Sequence, residues 1–133
     1  MGGGAVHVTR PIGPYAPVRR AGDWVVTSGQ LGVVPGENGE PVLVSGGAAR
    51  ELRQALANLA AVLAEEGGDL SYVVKTTLFL TDMADFTAVN EVWVEVFGTH
   101  RPVRSAVGVA ALPMGARVEV EAWAHVEGAP ARR

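Results

Sequence analysis

The sequence predicts an α+β domain in which a six-stranded mixed sheet carries two helices on one face. Three observations predict it. Most of the chain reads as short β-rich runs broken by Gly and Pro; two segments switch to a helical period; and the last run alternates so strongly that the sheet must have one apolar face and one mixed face.

Taken in order, Ala5–Thr9, Trp24–Gln30 and Pro41–Val44 are apolar runs of strand length. Between the last two, Pro35-Gly36-Glu37-Asn38-Gly39 carries an Asn-Gly pair, which signals a hairpin. From Gly46 to Glu66 the leucines 52, 56, 59 and 63 recur at steps of three and four, one face of an amphipathic helix, and Gly67-Gly68 stops it. Val73–Leu80 is again a strand, with Val74, Thr76, Leu78 and Leu80 on one face and Val73, Lys75, Thr77 and Phe79 on the other. Asp82 suits an N-cap and Asp85 a first turn, before a helix whose stripe is Phe86, Val89, Trp93, Val96 and Phe97, closed by Gly98. Strands at about Val103–Ala110 and Arg117–Val126 flank a Leu112-Pro113-Met114-Gly115 turn.

In the last strand Val118, Val120, Ala122, Ala124 and Val126 face the helices, leaving Arg117, Glu119, Glu121, Trp123 and His125 on the uncovered face. Phe79 and Ala106 are expected on that face too. A Trp among charges on a bare sheet face predicts a second subunit over it, most economically in a closed ring.

Composition narrows the function. The 133 residues amount to one domain, 1–133, with residues 1–4 and 128–133 expected as flexible ends. Apolar residues make up 48% and charged ones 19%, which places the chain among globular proteins. A net charge of −3 offers no footprint for nucleic acid and no pull to anionic lipid. There is no cysteine, so disulfides, thiolate zinc sites, iron–sulfur clusters and thiol nucleophiles are excluded. No apolar run approaches membrane-spanning length, and the start has no basic-then-apolar leader pattern, so a cytoplasmic protein is expected. No phosphate-binding glycine loop or nucleophile elbow occurs, and His7, His100 and His125 lack metal-ligand spacing; neither cofactor nor metal is expected.

Two residues can carry chemistry. Arg104 has the opposite parity to Val103, Ser105, Val107 and Val109, so it is expected on the helix-free face, where its guanidinium can fork onto a planar carboxylate. The alternative is a salt bridge to Glu119 or Glu121. Glu119, on the same face, becomes a general base for water if partly desolvated; the alternative is a partner for Arg117 or Arg104. In a simple hairpin about Pro113-Met114, Arg104 lies opposite about Trp123 and Glu119 opposite about Gly108, so roughly 13 Å of strand separates them. Only a neighbouring subunit then brings the two together. Tyr15 ends a Gly13-Pro14 turn and can stack and hydrogen-bond; Asn90 is a polar residue within the second helix; Gly29 permits a close approach.

Gly13-Pro14-Tyr15, Ser28-Gly29-Gln30, Val74-Lys75-Thr76-Thr77, Asp85-Phe86 with Asn90, Arg101-Pro102-Val103-Arg104-Ser105, Leu112-Pro113 and Val118-Glu119-Val120-Glu121-Ala122 together resemble the Rid family of reactive-intermediate deaminases, the YjgF/YER057c/UK114 family. The resemblance runs from about residue 5 to 126, in order and with matching spacing. It implies a chorismate-mutase-like fold, a homotrimer with sites in the clefts between subunits, and no cofactor. It also implies hydrolysis of enamines and imines such as 2-aminoacrylate and 2-iminopropionate to a 2-keto acid and ammonia. By similarity Arg104 clamps the substrate carboxylate, Glu119 positions or activates water, Tyr15 walls the pocket, and Ser28, Gly29, Asn90 and Ala106 complete it. Many members have Cys where Ala106 stands and Gln where Pro17 stands, so thiol-dependent behaviour is not expected and the mouth of the site differs. The competing readings are a non-catalytic trimer that binds small carboxylates and a ribonuclease or translation inhibitor, the latter opposed by the net charge.

Overall fold

The helix Ala48–Ala64 (α1) exists because its leucines fall on one side: Leu52, Leu56, Leu59 and Leu63 are all essentially inaccessible to water. Burying each contributes about 1.5–3 kcal/mol relative to exposure. The helix ends where Gly67 takes φ +83° and Gly68 N–H donates back to the Leu63 carbonyl at 3.0 Å. A computed structural model supplies these coordinates and describes residues 11–128.

Five strands form the main sheet: β1 (Val18–Ala21), β2 (Trp24–Thr27), β5 (Val73–Leu80), β6 (Val103–Gly108) and β7 (Val118–His125). Their spatial order is β1-β2-β7-β5-β6; β5 and β6 run parallel and the other pairs antiparallel. β3 (Val33–Pro35) and β4 (Pro41–Leu43) make a separate two-stranded hairpin. The second helix, α2 (Phe86–Phe97), links β5 to β6. Val89, Val92, Trp93 and Phe97 of α2 join the α1 leucines and the inward residues of β5 and β7 in one core, so both helices cover one face of the sheet. Among the described residues no helix is long and apolar enough to cross a membrane.

Several local expectations hold. β5 has the expected bounds, the Asn38-Gly39 hairpin forms, and Gly98 closes α2 at φ +65° with its N–H on the Val94 carbonyl. Asp82 caps, but it caps the short turn Met83–Asp85 that precedes α2, by accepting from Ala84 N–H at 2.9 Å.

Other expectations are corrected. Among the described residues the main sheet has five strands rather than six. The expected strand Ala5–Thr9 lies outside the described residues, as do residues 1–4 and 129–133 of the ends. Pro41–Val44 yields β4, which belongs to the small hairpin. β1 was not expected at all. Its signal is Gly22-Asp23, a two-residue turn with Gly22 at φ +62° that pairs Ala21 with Trp24. Arg19 and Arg20 hide the strand's alternation. Arg20 points inward, donating to Glu66 Oε1 at 3.1 Å and to the Gly22, Glu66 and Val126 carbonyls. A bulge between Val73 and Lys75 buries Val73 and exposes Val74, the reverse of strict alternation.

The correction that matters for function concerns β6 and β7. They do not form a hairpin about Pro113-Met114, because β5 lies between them. Arg104 pairs with Thr76 and Ala106 with Leu78, both of which face the core, so Arg104 and Ala106 point to the helix-bearing side. The valines of β6 point the other way: Val103 is 62% exposed and Val107 40%. Assigning valines to the core fails here because β6 is an edge strand, and the helix-free face exposes apolar side chains among its polar ones. Phe79 and Glu119 do lie on the helix-free face, paired with one another.

Candidate active site

The predicted site residues fall into two groups in one chain. The first gathers around Glu119. β7 presents Glu119 beside Gly29, and a Cβ on Gly29 would overlap the Glu119 carboxylate, with its Cδ only 2.7 Å away. Gly29 therefore makes the room in which the carboxyl sits. Tyr15 closes the same small pocket, with Ile12, Pro17, Gln30, Leu31 and Pro113 among the other walls. Tyr15 N–H donates to the Gly13 carbonyl at 2.9 Å, and the ring lies against Gly13, where a side chain would collide at 2.6 Å. Ser28 does not point its hydroxyl proton into the pocket. It donates to the Ala16 carbonyl at 2.6 Å, while its N–H donates to the Pro17 carbonyl, so Ser28 ties the Tyr15 loop to the end of β2. Behind the pocket, the buried Asn58 of α1 donates to both the Leu31 and Val33 carbonyls at 2.9 Å and holds the wall in place.

Burial raises the Glu119 pKa above the ordinary carboxylate value, and the negative charge of Glu121 raises it further. Neither Arg117 nor Arg104 pairs with Glu119; Arg117 donates instead to Asp85 Oδ2 at 3.1 Å.

The second group gathers around Arg104. Its guanidinium carbon lies 4.9 Å from the centre of the Trp93 ring and 5.5 Å from that of Phe86, two aromatics one face of α2 places beneath it. Among the described residues no carboxylate pairs with it, and burial lowers its pKa. A guanidinium stays protonated under such shifts. A cleft of about 480 Å³ opens beside it, lined by Asn90, Trp93, Val94, Arg101, Pro102 and Arg104. Asn90 and Arg104 thus share one cavity, while Ala106 packs against the core below. From the sequence, Phe86 and Trp93 read as the apolar stripe of a helix, Phe86, Arg101 and Gln30 as motif residues without a role at the site, and Asn58 carried no signal. The seven-residue spacing of Phe86 and Trp93, two helical turns, was the available signal.

The two groups do not meet within a chain. Arg104 and Glu119 are on opposite faces, three residues apart along the strands and two strands apart across them, roughly 14 Å in the plane of the sheet.

A cluster of side chains of metal-ligand type lies elsewhere. Asp23, His125 and Glu127 bring ligand atoms within 4.8 Å of one another at the far end of β7. The imidazole there packs edge-on to Trp24, with ring centres 5.0 Å apart.

A guanidinium with no protein anion can take a planar carboxylate, and a desolvated carboxyl beside an aromatic can exchange a proton. The molecule is a small α+β domain with a guanidinium bordering one cleft and a partly buried carboxyl in another. Comparison with known proteins makes this specific. The family model described as Endoribonuclease L-PSP matches residues 7–126, and the chain belongs to that family, the YjgF/UK114 or Rid family. The human protein named 2-iminobutanoate/2-iminopropanoate deaminase is 45% identical over 113 residues, which span 85% of this chain and 80% of that protein. Two solved structures share the fold. RidA from an Antarctic Psychrobacter superposes with a TM-score of 0.82 at 38% identity, covering 90% of this chain and 94% of that one. Escherichia coli TdcF with bound serine gives 0.77 at 36% identity, covering 86% and 90%.

Proposed function

We propose that this protein hydrolyses reactive enamine and imine carboxylates of the 2-aminoacrylate/2-iminopropanoate type to 2-keto acids and ammonia, at a site assembled between copies of the chain in a homotrimer. The observation that carries the reading is the separation just described. Arg104 and Glu119 are each desolvated, each without a charged partner among the described residues, and on opposite faces of one sheet. A second copy brings them to one small molecule. The helix-free face, which exposes large apolar side chains among its charged ones, supports such association. It carries Trp24, Val103, Val107 and Trp123, and the two Trp rings meet edge to face at 6.3 Å.

In this mechanism Arg104 of one copy, lying over Trp93 and Phe86, receives the substrate carboxylate, and Asn90 faces the same bound molecule. Tyr15 and Glu119 of the neighbour close over the imine carbon. Glu119 accepts a proton as water oxygen bonds to that carbon and passes it to the imine nitrogen, giving a neutral carbinolamine. Glu119 then takes the carbinolamine hydroxyl proton and delivers it to nitrogen as the C=O bond forms and the C–N bond breaks, leaving the keto acid and ammonia. The raised pKa suits a group that must both accept and return a proton. Ser28 acts through the Tyr15 loop it ties down, and Gly29 by making room for the carboxyl. Ala106 leaves the site without a thiol, which this hydrolysis does not need. The amino-acid ligand of the TdcF relative and the deaminase name of the human relative support a small amino- or imino-carboxylate substrate. The ribonuclease in the family's description finds no support in a chain of net charge −3, since phosphate backbones are held by clustered cations. A chain without cysteine suits a reducing compartment, and we place the activity in the cytoplasm.

The test is complementation. Arg104→Ala and Glu119→Gln chains, each inactive alone in a coupled 2-aminoacrylate decay assay, are unfolded together at equal amounts and refolded. In mixed rings about one interface in four pairs an intact Arg104 with an intact Glu119, so about a quarter of wild-type activity returns. No recovery places both residues in one chain's site and overturns the shared cleft.

A further inference from the structure

Resting on the deaminase reading, we propose that the Arg104 cleft selects imines bearing a second carboxylate, with Arg104 holding the carboxylate next to the imine carbon and Arg101 the distal one. Two arginines and, among the described residues, no carboxylate line the cleft, whose walls are Asn90, Trp93, Val94, Arg101, Pro102 and Arg104. That is an unusual local balance in a chain whose net charge is −3. Arg101 is exposed, yet its guanidinium is anchored, because Nε donates to the Gly98 carbonyl at 2.6 Å. Anchoring by Nε leaves the two terminal nitrogens for an anion, the edge that forks onto a carboxylate. Among the described residues no acidic side chain pairs with it. Three residues of extended chain separate the two arginines by roughly 10 Å at the Cα atoms. Their side chains border one cleft, so two carboxylates of a single small molecule can be held at once. Pro102 between them limits the backbone freedom of the pair. The substrate class is then the 2-imino dicarboxylates of four or five carbons, supplied by a reaction that oxidises the amine of an acidic amino acid.

The experiment compares two imines made in place by flavin oxidases with catalase present: 2-iminosuccinate from D-aspartate and 2-iminopropanoate from D-alanine. Semicarbazide traps whatever imine survives. The readout is the ratio of kcat/KM for the diacid to that for the monoacid. Arg101→Gln should lower that ratio about tenfold, and Arg101→Glu should lower it further. Added salt should lower it in the wild type, because Arg101 is exposed and its attraction is screened. A ratio unmoved by both substitutions overturns the inference while leaving the deaminase reading intact. Acceleration of neither imine overturns the deaminase reading, and the inference with it.

Discussion

Arg104 illustrates how a single side chain is prepared for a ligand by what it lacks. Two rings lie against it, burial strips part of its water, and among the described residues no carboxylate pairs with it. Arg104→Ala should therefore lower imine hydrolysis at least about a hundredfold, the loss of a bidentate charged contact, with little change in Tm. Arg104→Lys should not restore it, since an ammonium has no fork. Glu119 is prepared in the opposite sense: burial and Glu121 both disfavour its charge. Because its folded pKa is raised, folding favours the protonated form. Its contribution to stability is greatest at low pH and is lost as pH rises through the folded pKa. Glu119→Gln should raise Tm at neutral pH, and the gain should vanish on acidification below the usual glutamate range. The same substitution should lower kcat by about 10²–10⁴ with a smaller effect on carboxylate binding. A fall in Tm at neutral pH, or equal losses in turnover and binding, would contradict the base role.

At the scale of elements, the site depends on how loops and strands approach one another. Gly29 has no left-handed backbone requirement; its lack of a side chain matters because the Glu119 carboxyl fills that space. Gly29→Ala should displace the carboxyl and reduce kcat at least tenfold while the chain stays folded, which circular dichroism and a melting curve check alongside kinetics. Much of the element pattern was legible in the chain. The α1 leucines, the bounds of β5, the alternation of β7 and the Asn38-Gly39 turn each carry their own local signal. The position of β6 was not, since parallel pairing with β5 is a long-range choice that no local period encodes. The side of the sheet that Arg104 faces followed from that choice, and parity among valines pointed the wrong way. Chemistry was easier to read than placement. Arg104, Glu119, Gly29 and Tyr15 stand out by residue type and motif, whereas Phe86 and Trp93 look like ordinary core until the guanidinium is seen above them.

For the whole molecule, the helix-free face sets the terms. Trp123 is 48% exposed and Trp24 39%, and both sit where a neighbour's sheet can cover them. Light scattering should give a mass of about three chains. Trp123→Glu should place a charge on that face and shift the protein toward monomers, with activity lost although Arg104 and Glu119 are untouched. A fully active Trp123→Glu monomer would remove the need for a shared cleft.

Taken alone, the sequence determined the helices, most strands, the apolar face of β7 and the residue types available for chemistry, because each rests on periodicity or turn chemistry within a few residues. Tertiary structure alone decided that β5 separates β6 from β7, that Arg104 lies over aromatic rings on the helix side, and that Glu119 occupies the space left by Gly29 on the other. Strand pairing joins residues far apart in the chain, and its energy comes from burying whole faces together rather than from any local run.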